Sequence, residues 1–194
     1  QNNTVELHGW GSRVPKWDWA DWIVLDLDPD EDLPFATVID AAFEVRDALK
    51  TLGLASWVKT TGGKGLHVVL PITRRYDWPT IKRVSQQLAI LMAHAAPNRY
   101  VANMSKKART GKIFVDYLRN AEGATAALPY SPRARPGLTV ATPIAWRDLR
   151  AIDPQELTIV SVPKLLARRH IDPWSDVLDT KQALPRELLD AALK

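Results

Sequence analysis

Apolar and polar residues alternate through Trp22–Asp28, so that an extended chain carries Trp22, Val24, Asp26 and Asp28 on one side and Ile23, Leu25 and Leu27 on the other. This period of two predicts a strand, and Pro29 ends it because proline offers no amide to a ladder. The period then changes. Val38, Ile39, Ala42, Val45, Leu49 and Leu52 recur at helical spacing, which predicts a helix over Phe35–Leu52 with Gly53 as its C-cap. Ser56–Thr60 and Leu66–Leu70 read as two short strands joined by the turn Gly62-Gly63-Lys64-Gly65 and closed by Pro71. Asp77 is placed to N-cap a second helix reaching about Ala96, with Ile81, Val84, Leu88, Leu91 and Ala95 on one face.

Ile113–Leu118 predicts a further strand, with Thr125–Leu128 as its pairing partner, ahead of a proline-rich stretch from Pro129 to Pro143. Beyond Trp146 short helices are expected, starting at Asp153-Pro154 and Leu184-Pro185, with one more strand over Leu157–Val162. The resulting order, β-α-β-β-α-β-β, predicts an α+β chain. One domain is expected over 1–194, with sheet and active site in about 1–150 and a helical extension in about 151–194.

Composition narrows the chemistry. The chain has 194 residues, 46% of them hydrophobic, enough for one sizeable core. No apolar run approaches the roughly 18 residues that a membrane span requires, so no membrane role is expected. The absence of cysteine excludes disulfides and thiolate metal sites and fits a reducing cytoplasm. A net charge of +4 conceals two opposed blocks. Between Asp18 and Asp47 ten carboxylates face the single base Arg46, whereas from Arg99 to Arg135 eight bases face only Asp116 and Glu122. Such blocks suit a protein that holds cations beside polyanions, although solvated faces carry the same pattern.

Asp26 and Asp28 project together from one strand face, and Asp116 sits mid-strand among apolar neighbours, where an unpaired carboxylate is expensive to bury. Three carboxylates on adjoining strands can hold two Mg²⁺ or Mn²⁺ ions about 4 Å apart. The plainer alternative is a DxD that caps a turn. In "TTGGKGLHVVLP" the backbone amides of the glycine turn, including that of Gly63, can cradle a polyphosphate beside the Thr61 hydroxyl and the Lys64 ammonium, with His67 on the following strand. An ordinary hairpin turn has the same composition.

Arg133 and Arg135, two apart on an extended segment, can grip one anion, or simply be solvated. Lys106, Lys107 and Arg109 suit sequence-independent phosphate contacts to DNA. His8 in "VELHGW" suits packing as well as ligation, and Trp10, Trp17 and Trp19 suit core packing before base stacking.

The segments "ELHGWGSR", "DLDP", "TTGGKGLHV", "FVDYLRN" and "YSPRARPG" with the following "VATPIAW", in this order, resemble the polymerase domain of bacterial end-joining DNA ligases, ligase D, of the archaeo-eukaryotic primase superfamily. The similarity runs from about Glu6 to the "HIDPW" segment near Trp174. The resemblance implies a primase-polymerase catalytic core with an RRM-like mixed or antiparallel sheet flanked by helices. It implies Asp26, Asp28 and Asp116 as catalytic metal ligands, and His8, Thr61, Lys64, His67 and Arg135 around the triphosphate and sugar, with Arg133 and Lys106 less directly matched.

The implied activity is template-dependent transfer of ribo- or deoxyribonucleotides to a primer 3′-hydroxyl in non-homologous end joining. Its partners are DNA, nucleoside triphosphates and ligase or Ku-type proteins, in a nucleoid-associated, cytoplasmic setting. A primer-independent primase and an inactive DNA-binding module are the alternatives. By the same resemblance the chain begins partway through the usual domain, so 5′-phosphate recognition is not carried over.

Overall fold

The computed structural model describes residues 4–193. Its centre is a six-stranded sheet in the order β5-β6-β2-β4-β3-β8, formed by β2 (Trp22–Pro29), β3 (Trp57–Thr60), β4 (Leu66–Pro71), β5 (Tyr100–Val101), β6 (Ile113–Asp116) and β8 (Pro143–Ile144). All neighbours are antiparallel except β5 and β6, so the sheet is mixed, as expected. Two helices, α1 (Phe35–Thr51) and α2 (Trp78–Ala95), pack against it.

The strand period decides which face they cover. Ile23, Leu25, Leu27, Leu66, Val68, Leu70, Ile113 and Val115 are buried and share one core with Val38, Val45 and Leu49 of α1 and Ile81, Val84 and Leu88 of α2. Fully burying each such side chain contributes about 1.5 to 3 kcal/mol. The Asp77 carboxylate accepts the Thr80 amide at 2.9 Å, the predicted N-cap of α2, and Gly53 takes φ +72° just past the end of α1, where a side chain would be strained.

The opposite face carries the polar alternates of the same strands. A separate two-stranded ribbon, β1 (His8–Trp10) with β7 (Thr125–Ala127), lies over part of it. The predicted pairing of Thr125–Leu128 with Ile113–Leu118 is therefore corrected. β6 ends at Asp116, and a 3-10 turn over Leu118–Asn120 follows it before β7 forms. A contact well over a hundred residues away in sequence then supplies the ladder, with Leu128 N–H donating to Leu7 C=O at 2.9 Å.

Leu157–Val162 is not a strand either. Thr158 bridges Thr139, and the Thr158 and Ser161 hydroxyls cap the start of α4 (Ser161–Arg168), whose Pro163 suits a first helical turn. Asp153-Pro154 begins only a turn, because the Asp153 carboxylate accepts the Gln155 amide at 2.8 Å and closes the chain locally. The Leu184-Pro185 start is correct and opens α5 (Arg186–Ala192), packed on α2. Leu157, Val162, Leu184 and Leu188 join the central core, so the C-terminal helices are continuous with it.

Candidate active site

One transverse row of the sheet carries the polar chemistry. Asp26 on β2 is paired directly with Asp116 on β6 and with His67 on β4, and His67 is paired with Lys59 on β3. Four ionisable side chains, Lys59, His67, Asp26 and Asp116, thus stand side by side across four strands on the face away from the helices. One position along β2, on the same face, comes Asp28.

The row is mostly desolvated: Asp26 is 8% exposed, His67 3% and Lys59 2%. His67 Nε2 lies 3.3 Å from Asp26 Oδ2. Burial opposes ionisation of Asp26, yet the imidazole beside it, together with Arg119 and Lys59, holds its carboxyl below the usual range. Burial, reinforced by the Lys59 cation, pushes His67 down. Burial likewise lowers Lys59 to about 7, against the pull of Asp26.

The other two carboxylates are raised. For Asp28 the causes are burial and then repulsion from Asp26, which Arg109 offsets in part. For Asp116 burial leads, the Leu118 amide at 2.8 Å from Oδ1 lowers the value, and Asp26 raises it again.

Protein cations lie against these acids. Arg119 Nε is 3.5 Å from Asp26 Oδ2 and 3.7 Å from Asp116 Oδ2, so a single guanidinium faces both carboxylates. Arg109 Nη1 reaches Asp28 Oδ2 at 3.3 Å, with its guanidinium 3.8 Å from the centroid of the Phe114 ring. Among the described residues no three carboxylate or imidazole groups converge tightly enough, as they stand, to hold a metal ion. The donor set nonetheless fits a hard divalent cation, being all oxygen and crowded, with Asp28 and Asp116 raised by burial and further by the Asp26 charge. Asp26, Asp28 and Asp116 are the residues that would hold it once the arginines turn away.

Asn120 sets the position of Arg119. Past Asp116, β6 no longer covers β2, which leaves the Val24 backbone, paired with Val69 on one side, without a strand partner on the other. The buried Asn120 amide replaces that partner, accepting from Val24 N–H and donating to Val24 C=O, both at 2.7 Å. This clamp fixes the 3-10 turn next to Asp116.

A cleft of about 360 Å³ opens over the row. Its lining brings together Asp26, Asp28, His8, Thr61, Gly63, Lys64, His67, Arg133 and Arg135, all expected from sequence, and adds Arg119 and Glu31; Asp116 is not part of that lining and is joined to it through Arg119. The glycine turn forms the floor. The Thr61 hydroxyl donates to Gly65 C=O at 3.1 Å and accepts Gly63 N–H at 3.2 Å, closing the turn on itself. Gly62 has φ +69°, and a Cβ on Gly65 would sit 2.7 Å from the Leu27 carbonyl, so the turn packs against β2 only without side chains there.

Glu6 organises the rim. It accepts from His8 Nε2 at 2.9 Å and from the Ala134 amide at 2.8 Å, and lies 3.3 Å from Arg133 Nε. The hydrogen bond from His8, followed by that from Ala134, lowers its pKa to about 2. Arg133 also donates to Thr61 C=O, which ties the rim to the glycine turn. Arg135 lies against Gly63, where any Cβ would strike its guanidinium.

Lys106 and Lys107 are exposed on the one-turn helix α3 (Lys106–Arg109), apart from the cleft lining, while Arg109 is turned inward onto Asp28. Sequence reasoning missed Glu6, Lys59 and Arg119. Lys59 shares the alternation of Trp57 and stands opposite His67 in the hairpin, a signal readable from the two strands, whereas the placement of Arg119 depends on a turn that periodicity does not reveal.

The family model described as "LigD, primase-polymerase domain" matches residues 1–174. The chain is 37% identical to the multifunctional non-homologous end joining protein LigD of Pseudomonas aeruginosa over 95% of its own length and 22% of that protein's. It is 32% identical to the LigD of Mycolicibacterium smegmatis over 92% of its length and 23% of that protein's. The chain thus spans under a quarter of the length of these relatives. The polymerase domain of ligase D from Mycobacterium tuberculosis, solved in complex with DNA, superposes with a TM-score of 0.80 at 30% identity, covering 93% of this chain and 64% of that one.

Proposed function

Because the chain belongs to the LigD primase-polymerase family and has its primase-polymerase fold, we propose that it catalyses template-dependent transfer of a nucleotide from a ribo- or deoxyribonucleoside triphosphate to a primer 3′-hydroxyl, in the repair of DNA breaks by end joining. The observation that carries this reading is the row Lys59–His67–Asp26–Asp116, whose members Asp26 and His67, with Asp28, line a cleft shared with His8, Lys64, Arg119, Arg133 and Arg135. Convergent carboxylates facing convergent cations match a reaction in which a polyphosphate must be neutralised while a hydroxyl is activated.

Asp26, Asp28 and Asp116 would hold two divalent ions, Mn²⁺ or Mg²⁺, which would supply charge neutralisation and a lowered hydroxyl pKa. The chain's own groups do the positioning. Lys64, Arg133 and Arg135 bind the triphosphate above the glycine turn. His67, kept neutral by burial, donates a hydrogen bond rather than adding charge. His8 is oriented by Glu6 toward the sugar side of the cleft. Arg119 and Arg109, which lie against the carboxylates, would serve the phosphates where those acids hold cations. Lys106 and Lys107 contact the DNA backbone.

The similarity to proteins named for non-homologous end joining supports ligase and Ku-type proteins as partners in this reading, and a DNA substrate fits a cytoplasmic, nucleoid-associated setting. Among the described residues no helix is long and apolar enough to cross a membrane.

The test is primer extension on a templated duplex with ribo- or deoxyribonucleoside triphosphates and each metal in turn. Products one or more nucleotides longer, lost in Asp26→Ala and Asp116→Ala, are expected. Extension by Asp28→Ala at the wild-type rate with Mn²⁺ would overturn the ligand assignment.

A further inference from the structure

Trp10, Trp17 and Trp19, expected to pack in the core, are not in it. Trp10 is 47% exposed, Trp17 50% and Trp19 38%, and Trp10 and Trp17 meet edge to face with ring centroids 5.6 Å apart. The backbone beneath them is pinned: Trp78 Nε1 donates to Trp17 C=O at 2.8 Å, Asp21 N–H to Gly11 C=O at 2.8 Å, and Trp19 bridges Asp77. The loop is therefore held by its main chain while its indoles stand in solvent, an arrangement that folding does not require.

Position along β1 connects this pair to the cleft. His8 and Trp10 are alternate residues of one strand, both exposed, so they face the same side about 7 Å apart, and His8 lines the nucleotide cleft. On the far side lies a second cleft of about 530 Å³, lined by Arg13, Lys16, Arg74 and Lys181 with the single acid Asp21. The Asp21 carboxylate is spent on a bidentate contact from Arg74 and on Arg13. Among the described residues Lys16 and Lys181 have no acidic partner, and Asp18 is the one acid between the indoles.

We propose that Trp10 and Trp17 form a stacking platform for the bases of an unpaired nucleic-acid strand leaving the catalytic cleft, with Lys16 and Lys181 holding its phosphates. Indole faces stack on any base, and unpaired lysines attract phosphate without reading sequence, so the track serves template overhangs of any composition. It rests on the polymerase reading only for the direction in which the strand runs.

The experiment is fluorescence anisotropy of a labelled dT oligonucleotide of about 12 nucleotides, a length within the site sizes of single-strand binders, against an abasic strand of equal length. Proteins compared are the wild type, Trp10→Ala, Trp17→Ala, the corresponding Phe variants and Lys16→Ala. Each Ala variant is expected to lose about 10-fold in affinity for dT, with abasic binding and nucleoside triphosphate affinity unchanged. The Phe variants keep most of the affinity because a ring face remains. Lys16→Ala lowers the slope of log affinity against log salt by about one.

Equal binding of dT and abasic strands by the wild type, or wild-type affinity in both Ala variants, overturns the platform. So does a dimer, seen by sedimentation, that Trp17→Ala dissolves without changing dT binding, because the patch would then join two copies. The same proteins assayed for primer extension keep the two readings apart. Tryptophan-dependent dT binding without extension sinks the polymerase alone, and extension without tryptophan dependence sinks the platform alone.

Discussion

Asp116 stands directly across the β2–β6 ladder from Asp26, and one guanidinium, that of Arg119, faces both carboxylates. Like charges opposite one another destabilise a strand pair unless a cation lies between them. The same register that makes the pair costly without cations makes it a receptor for them.

Asp116→Asn should therefore melt no lower than the wild type in chelator, since it removes a carboxylate whose ionisation is opposed by burial and by the Asp26 charge. Mn²⁺ at about 100 times its dissociation constant should stabilise the wild type by about 2.7 kcal/mol and leave Asp116→Asn unmoved. A thermal-shift titration measures both. Equal stabilisation of the two proteins would remove Asp116 from the ligand set.

Glu6 holds His8, Arg133 and the Ala134 amide at once. Glu6→Gln takes away the charge that organises the rim, and KM for the nucleoside triphosphate should rise about 10-fold, the equivalent of about 1.4 kcal/mol, with a smaller change in kcat. Steady-state kinetics over triphosphate concentration decide it; an unchanged KM would mean that the rim does not bind nucleotide.

Asn120→Ala leaves the buried Val24 N–H and C=O without partners, so stability should fall by about 2 to 3 kcal/mol. Urea denaturation reads the loss as a lower midpoint at constant slope. Asn120→Asp should also destabilise, because it keeps the acceptor but loses the amide donor.

Asp77 caps α2, and its hydrogen bonds from Thr80 hold its pKa below the ordinary value of 3.8. A depressed folded pKa means that the contribution is present above 3.8 and disappears as pH falls through the folded value. Asp77→Ala should cost about 1 kcal/mol at neutral pH, with the gap to wild type closing in acid. Melts of the two proteins from pH 7 to pH 2 test this, and a gap that widened on acidification would refute the cap.

The central elements were legible because each is local. The strand over Trp22–Asp28, the helix after it, the glycine hairpin and the Asp77-capped helix follow from periods of two and 3.6 and from turn residues, and the structure places all of them within a residue or two. The face shared by Asp26 and Asp28 was equally fixed, since alternation along a strand admits only two sides, whereas the β2–β4 register brought His67 to it.

What tertiary structure alone decided is pairing across the chain and the exposure of aromatic rings. Thr125–Ala127 joins His8–Trp10 instead of its neighbour in sequence because ladder hydrogen bonds are indifferent to chain distance, and nothing local in Thr125–Leu128 names its partner. The same holds for Arg119 between two aspartates and for Glu6 beneath Arg133: hydrophobic periodicity is silent about which charges meet. Trp10 and Trp17 look like core residues in sequence because apolarity predicts burial, but burial also needs a surface to cover them, and the fold leaves none there. Sequence thus determined the elements and their faces through covalent geometry and solvent affinity, while the register between distant strands determined which side chains could act together.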